Sequence, residues 1–193
     1  MNGTATNGAF LRLHFSVPSD VPKSLPRFPG KTDPFPAFSV LGCILRPKSR
    51  GSVTVAARDI YTSPAIETNV YAKHEDAVVG ANALKIIRKI VLGTSAFAPY
   101  APHELIPGCA VQTDEDFITG SYRIASTIYH GVGTCKMGAD RLAVVDERLR
   151  VHGITGLRVV DGSIMPSIIS GNTHAPIVMI AEKAADMILQ DRR

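Results

Sequence analysis

The chain has 193 residues, of which 45% are hydrophobic and 20% charged, and its formal net charge is +4. These proportions are typical of a globular protein, and the scattered lysines and arginines do not form the basic stripe with interleaved aromatics that binds nucleic acid. No apolar run reaches the roughly 18 residues of a membrane span, and the first residues lack the layout of a signal peptide. The cysteines lack the close spacing of a disulfide framework or zinc site, which favours a reducing compartment.

The first third of the sequence predicts β-strands. Residues 8–17 read as a strand from their alternation of apolar and polar positions, and the proline-rich residues 18–36 predict a long irregular connection. A second apolar run covers residues 37–45, and a β-branched run at 52–56 follows a turn that ends at Gly51. Because glycine permits the turn, these two runs predict a β-hairpin, and we expect the strands to form one antiparallel sheet.

Helices are predicted in the middle and at the end of the chain. The longest pattern covers residues 74–92 and ends at a glycine. Thr113 and Asp116 have the spacing of a capping box, which opens a second helix that ends near residue 126. Residues 175–190 predict a closing helix with Pro176 in its first turn. The apolar stripes expected to face the core are Val79, Ala83, Ile86, Ile87 and Ile90 in the first helix, and Ile177, Ile180, Ala184, Met187 and Ile188 in the last.

The order of these elements predicts a mixed fold, α+β or α/β. An antiparallel sheet with flanking helices comes first, and a short buried strand at residues 157–160, a turn and the closing helix complete the chain. A boundary near residue 125 divides residues 1–125 from residues 126–193.

Two glycine-rich turns carry the side chains of greatest chemical interest. Residues 129–138 (Tyr-His-Gly-Val-Gly-Thr-Cys-Lys-Met-Gly) contain His130, and residues 170–172 (Ser-Gly-Asn) contain Asn172. An imidazole with a pKa of about 6.5 can take the proton of an alcohol while a neutral amide hydrogen-bonds beside it. The residues alone also allow a packed structural histidine, an asparagine N-cap for the closing helix, and an aspartate, Asp161, that ends a strand.

Several motifs in a fixed order extend this pattern. They are the Gly-Thr-Cys-Lys-Met-Gly run at 133–138 that follows His130, Val-Asp-Glu-Arg-Leu-Arg-Val-His-Gly at 145–153, Gly-Leu-Arg-Val-Val-Asp-Gly-Ser-Ile-Met-Pro at 156–166, and Gly-Asn-Thr-His-Ala-Pro at 171–176. Upstream, residues 46–53 read Arg-Pro-Lys-Ser-Arg-Gly-Ser-Val. In this order the motifs resemble the C-terminal signature of the glucose-methanol-choline (GMC) family of flavin oxidoreductases.

The resemblance implies that the chain belongs to an FAD-dependent enzyme that oxidises a small-molecule alcohol. Residues 1–125 would then supply the substrate-binding sheet, and residues 126–193 the catalytic portion that contacts FAD. His130 would be the catalytic base, and Asn172 its partner.

The resemblance also implies four cofactor contacts. Asp161 and Gly162 would line the flavin, and the backbone of Thr173 and His174 would approach its ring. The chain departs from the family pattern at two positions. A glycine follows the histidine where proline is common, and His174 stands where the family often has asparagine.

The sequence contains no Gly-x-Gly-x-x-Gly fingerprint, since the nearest run, residues 131–136, fails at its third position. We therefore expect this chain to be a C-terminal portion whose partner is a missing N-terminal FAD-binding region, and to bind FAD weakly or not at all by itself. Two alternatives stay open. One is a catalytically idle relative that binds a partner or ligand, and the other is a flavin-containing relative that cleaves cyanohydrins with the same histidine.

Overall fold

A computed structural model describes the backbone of residues 3–5 and the whole of residues 9–18 and 33–192. The described strands are β1 (Gly3–Ala5), β2 (Ala9–Ser16), β3 (Ala37–Cys43), β4 (Gly51–Thr54), β5 (Ala65–Glu67), β6 (His103–Ile106) and β7 (Ala125–Thr127). The α-helices are α1 (His74–Gly93), α2 (Asp114–Ile124) and α3 (His174–Gln190), and short 3-10 helices cover Ala98–Tyr100 and Gly162–Ile164. Most of the predicted irregular connection, residues 19–32, lies outside the described residues.

The chain divides into two compact units, each built from separated segments. Unit 1 comprises Met1–Ala9, Leu45–Lys73 and Thr127–Arg193, and unit 2 comprises Phe10–Ile44 and His74–Ser126. The mixed fold class with antiparallel sheets is confirmed. The functional division at residue 125 stays a prediction.

Unit 2 is a sheet with two helices. Strand β2 pairs antiparallel with both β3 and β6, and β7 also pairs with it. The strand prediction for β2 is confirmed, with its apolar residues Leu11, Leu13 and Phe15 buried. His14 and Ser16 on the opposite face are buried as well, so the burial does not simply alternate. The capping box of α2 is confirmed, because Thr113 and Asp116 each accept the other's backbone N–H.

The predicted apolar stripe of α1 is wrong in most of its positions. Val79, Ile86 and Ile90 are exposed, and Ile87 alone of the large predicted residues is buried. The buried positions of the helix are Asp76, Ala77, Gly80, Ala81, Leu84, Ile87 and Val91. The buried face consists largely of small residues and includes Asp76, so it has a weaker hydrophobic signal than the exposed Val79, Ile86 and Ile90.

Arg88 takes part in a largely buried ion pair. Its guanidinium donates two hydrogen bonds to Glu104, from Nε to Oε2 at 2.7 Å and from Nη2 to Oε1 at 2.6 Å. It also donates to the carbonyls of Val111 and Gly108, and it lies over the ring of Phe117 at 4.5 Å from the centroid. The pair therefore fixes α1 against β6 and the loop before α2.

The predicted hairpin between residues 37–45 and 52–56 is wrong. Strand β3 belongs to the sheet of β2, whereas β4 pairs antiparallel with β1 and β5 in a separate three-stranded sheet of unit 1. Gly51 does not serve a hairpin turn; it allows a close approach between two strands. A Cβ at this position would lie 2.2 Å from the carbonyl oxygen of Glu67, so glycine lets β4 approach the end of β5.

The rest of unit 1 packs on α3. Its core contains Val132, Val145, Leu149, Val151, Ile164, Met165, Ile168, Ile180 and Ala184. The closing helix is confirmed, with Ile180 and Ala184 buried as its stripe predicted. The strand predicted at 157–160 is wrong, because Leu157 is exposed and the segment forms only an isolated bridge, between Arg150 and Arg158. Its backbone instead bonds with the loop at residues 149–151.

No helix in the described ranges is long and apolar enough to cross a membrane.

Candidate active site

The turn that carries His130 is held in an unusual backbone conformation. Tyr129 is exposed and has a φ of 63°, in the left-handed region that costs free energy for a residue with a side chain. Its N–H donates to the Thr127 hydroxyl at 3.0 Å. Just beyond, Gly133 has a φ of 94°, where glycine is unstrained. Left-handed positions of this kind concentrate at functional sites, where the surroundings maintain them.

His130 is half-buried and contacts the start of α3. Its Nδ1 lies 2.9 Å from the hydroxyl oxygen of Thr173, which is buried. Thr173 is the N-cap residue of α3, yet its side chain makes no capping hydrogen bond. The hydroxyl therefore serves the histidine and leaves the helix N-terminus without a side-chain cap. The sequence had indicated only a backbone role for Thr173, so this contact was missed.

Asn172 and His174 flank that threonine. Both are exposed, and His174 is the first residue of α3. The structural alternative for Asn172 is wrong, because the N-cap is Thr173. The helix therefore begins one residue later than an Asn172 cap would require. The Asn172 amide lies outside the helix, one residue before the threonine that contacts His130.

Asp161 and Gly162 begin a 3-10 helix. The Oδ1 of Asp161 accepts the N–H of Ser163 at 2.7 Å, so Asp161 caps this helix and does not end a strand. Gly162 is buried against α3, and a Cβ there would lie 3.1 Å from Cδ1 of Ile177. Close packing against α3 is therefore a sufficient reason for a glycine at position 162, whether or not a cofactor lies nearby.

Backbone hydrogen bonds join the His130 turn to the Asp161 turn. The N–H of Cys135 donates to the carbonyl of Ser163 at 3.0 Å, and the N–H of Met137 donates to that of Ile164 at 2.8 Å. Five of the six predicted site residues thus lie on three segments of unit 1 in direct contact with one another: the turn at 130, the turn at 161 and 162, and the start of α3 at 173 and 174. Asn172 adjoins them in the chain.

A cavity of about 240 Å³ opens beside the histidine turn. It is lined by Gly131 and Thr134 together with residues of β4, β5 and the residue after β5, including Ser52, Glu67 and Thr68. A Cβ at Gly131 would meet no atom within 4 Å. The backbone next to His130 is therefore open to a bound molecule.

The Val-Asp-x-x-Leu-Arg-Val motif has a structural explanation. The carboxylate of Asp146 accepts the N–H groups of Arg148 and Arg150, both at 2.9 Å, and the Arg150 side chain at 2.8 Å. Burial alone would raise the pKa of Asp146, but these hydrogen bonds outweigh it and lower the pKa below its ordinary value. The tight turn also places Leu149 at a φ of 65°. Asp146 therefore folds the loop that buries Val145 and Leu149.

Within the described part of the chain, no group of three or more His, Cys, Asp or Glu side chains is arranged to hold a metal ion. The site instead consists of one imidazole, one hydroxyl, glycine-rich backbone and a helix N-terminus. This set can exchange a proton and bind an anionic or planar group by backbone N–H donors.

Comparison with known proteins shows the family of the chain. Residues 47–181 match the model of the GMC oxidoreductase C-terminal domain. The chain is 41% identical over 148 residues to an alcohol dehydrogenase [acceptor] of Pseudomonas putida, and 46% identical over 144 residues to an oxygen-dependent choline dehydrogenase of Escherichia coli. It resembles the solved structure of an FAD-dependent oxidoreductase of Chaetomium thermophilum with a TM-score of 0.76 and 29% identity. The chain belongs to the GMC oxidoreductase family.

Each match covers most of this chain but only a small share of the relative. They include 77% and 75% of this chain but only 27% and 25% of the two dehydrogenases. For the solved structure, the match includes 80% of this chain and 27% of that one. The chain thus spans about a quarter of the length of these relatives, in agreement with the predicted C-terminal portion.

Proposed function

We propose that this chain is the C-terminal part of an FAD-dependent oxidoreductase that acts on the CH–OH group of an alcohol, with His130 as the catalytic base. Membership of the GMC oxidoreductase family and the dehydrogenase relatives support the reaction class. The observation that carries the role of the histidine is its contact with Thr173, because this contact holds an imidazole at the N-terminus of α3. In the same proposal, residues 1–125 contribute the substrate-binding portion and residues 126–193 the catalytic portion.

The residues at the start of α3 fit a flavin. A helix N-terminus favours negative charge, and the N–H groups of its first turn have no partner within the helix. The Thr173 side chain does not cap them, so those of His174 and Ala175 can face an electron-rich ring. Pro176 adds no N–H, and the open space at Gly131 admits a planar group to the backbone. FAD, when bound, supplies the hydride acceptor.

The protein's own residues then have distinct tasks. The Nε2 of His130 takes the hydroxyl proton of the alcohol. Across the described residues, no group hydrogen-bonds this nitrogen, which leaves it free for substrate. The Asn172 amide, exposed and one residue before the N-cap, donates a hydrogen bond to the same oxygen and so keeps it near the base. Asp161 and Gly162 border the flavin, where the 3-10 helix that they begin meets the histidine turn.

The test compares the 193-residue chain with the longest in-frame product of its gene. We expect flavin absorbance to remain after desalting in the longer product only. In that product, His130→Gln should lower kcat/KM for a primary alcohol by about 100- to 10,000-fold, the usual range for loss of a general base. His103→Gln is the matched control, because His103 is exposed on β6 in unit 2.

Other outcomes would contradict the proposal. An equal loss of kcat/KM in His130→Gln and His103→Gln would contradict the role of His130 as the base. A long product that binds FAD but leaves every alcohol unoxidised would contradict the reaction class, and release of an aldehyde from a cyanohydrin without flavin reduction would replace it with a lyase. A longer product that purifies folded and colourless would contradict the cofactor.

A further inference from the structure

We infer that Thr173 is a positioning residue that fixes the tautomer of His130, keeping the proton on Nδ1 and the basic lone pair on Nε2. This inference rests on the proposed function of His130 as a base. It adds a second side chain to the site and assigns a direction to the hydrogen bond between them.

The Thr173 hydroxyl is held in one place. Thr173 is 4% exposed, and its carbonyl accepts the N–H of Ile177 at 3.0 Å, which ties its backbone to the first turn of α3. The helix is itself fixed in the unit 1 core through Ile180 and Ala184. Threonine also has restricted side-chain rotamers. The oxygen therefore presents a fixed partner to the imidazole.

The histidine is fixed from its own side. Val132, two residues on, is buried in the same core as α3. The backbone bonds of Cys135 and Met137 to the 3-10 helix hold the rest of the turn. The 2.9 Å contact thus joins two elements that share one core, 43 residues apart in sequence. A fixed contact of this kind can favour one of the two tautomers of the neutral imidazole.

The direction of the hydrogen bond follows from the reaction. A hydroxyl can donate or accept, whereas each nitrogen of neutral imidazole does only one of these. If Nδ1–H donates to the Thr173 oxygen, Nε2 has the lone pair that takes the alcohol proton. The product imidazolium keeps the same Nδ1–H bond, so nothing must rearrange. If the hydroxyl instead donated to Nδ1, Nε2 would already carry a proton and could not act as a base.

A purely structural role for the hydroxyl is not supported by its contacts. The ordinary use of an N-cap threonine is to accept an N–H of the first helical turn, and Thr173 makes no such bond. Replacement by valine, which has the same shape, therefore removes the contact with His130 and no helix cap. We expect the melting temperature to change by less than about 4 °C, which corresponds to no more than a small stability effect in a chain of this size.

The first measurement is the tautomer of His130. Long-range proton–nitrogen NMR spectra of the 193-residue chain, at a pH where histidines are neutral, distinguish a protonated from an unprotonated ring nitrogen. The His130 signals are those absent from His130→Gln. We expect the Nδ1–H form in the natural chain and in Thr173→Ser, which retains the hydroxyl, and a shift toward the Nε2–H form in Thr173→Val. An Nε2–H form in the natural chain would overturn the inference, as would a Thr173→Val spectrum like that of the natural chain.

The second measurement uses the longest in-frame product with its flavin. Thr173→Val should lower kcat by about 10- to 100-fold at unchanged flavin content and nearly unchanged KM, which is the effect of losing one hydrogen bond to a group that becomes charged. Thr173→Ser should restore most of the rate. If His130→Gln is inactive and Thr173→Val is fully active, the role of His130 as the base is supported and its positioning by Thr173 is refuted. If His130→Gln is active, the proposed function itself fails, whatever the tautomer.

Discussion

The buried ion pair between Arg88 and Glu104 offers a direct test of the unit 2 structure. The side chain of Glu104 is 2% exposed and that of Arg88 16% exposed. In the natural chain the N–H of Gly108 donates to Oε1 of Glu104 at 3.1 Å. Replacement of Glu104 by glutamine keeps the size of the side chain and one oxygen that can accept this N–H. It removes the negative charge and replaces the second oxygen, which accepts from Nε of Arg88, with an NH2 group that cannot accept. Arg88 is then left with a positive charge in a largely buried setting.

The expected loss is large compared with that from a surface pair. Breaking a buried pair by removing one partner costs about 3–5 kcal/mol, because the other charge stays uncompensated. Arg88 keeps its carbonyl acceptors at Val111 and Gly108, so we expect about 3 kcal/mol. The matched control is Lys85→Met, whose ion pair with Asp114 involves a carboxylate that is 89% exposed. Such pairs contribute about 0–1 kcal/mol.

Urea denaturation of the 193-residue chain, followed by circular dichroism, measures both free energies of unfolding. We expect Glu104→Gln to lower the midpoint strongly without changing the slope with urea, and Lys85→Met to lower it slightly. A loss below about 1 kcal/mol for Glu104→Gln would refute the reasoning, since it would mean that water reaches Arg88. The double variant Arg88→Met with Glu104→Gln removes both charges and should recover part of the loss.

Two further predictions concern packing and pH. Gly162→Ala should be less stable than Gly131→Ala by about 1 kcal/mol, because its Cβ would lie 3.1 Å from Cδ1 of Ile177 whereas a Cβ at Gly131 meets nothing within 4 Å. Equal urea midpoints for the two variants would contradict the packing of unit 1. Burial lowers the pKa of His14 below its ordinary 6.5, although Asp33, 3.1 Å from its Nε2, opposes the shift. The unfolded chain therefore binds a proton first, so stability should fall as the pH drops through 6.5. Denaturation at several pH values should show this fall weakened in His14→Gln and retained in His103→Gln; an unchanged fall in His14→Gln would refute the assignment.

Local signals in the sequence predicted the elements that depend on nearby residues. The capping box of Thr113 and Asp116 involves partners three residues apart, and both of its hydrogen bonds are present. The stripe of α3 and the buried apolar residues of β2 likewise reflect positions within a single element. These predictions succeeded because the physical cause lies within a few residues of its effect.

Features that depend on distant partners were not predictable in the same way. The hairpin failed because the partner of β4 is chosen by pairing with β1 and β5, which no turn signal reveals. The prediction for α1 failed because the helix buries small residues such as Ala77 and Ala81 while large apolar residues on another face are exposed. The ion pair of Arg88 with Glu104, 16 residues away, likewise has no local signal in the sequence.

The candidate site shows the same division. The resemblance to the GMC family drew attention to His130 and to the backbone of Thr173, but the hydroxyl contact between them spans 43 residues and required the packing of α3. One signal was present in the sequence. Thr173 lies two residues before the predicted start of the closing helix, where a threonine hydroxyl can hydrogen-bond a neighbouring group instead of capping the helix.

The segmented make-up of the two units restricts how parts of this protein can be exchanged with those of relatives. The chain passes between units at residues 9–10, 44–45, 73–74 and 126–127. A hybrid that takes unit 2 from another member must import residues 10–44 and 74–126 together, because Gly42 of β3 packs closely on Ile87 and Ala83 of α1. A single crossover between residues 44 and 74 would combine a foreign β3 with a native α1, and one near residue 126 would divide unit 1 instead. Shuffled libraries of this family should therefore be cut at paired crossover points.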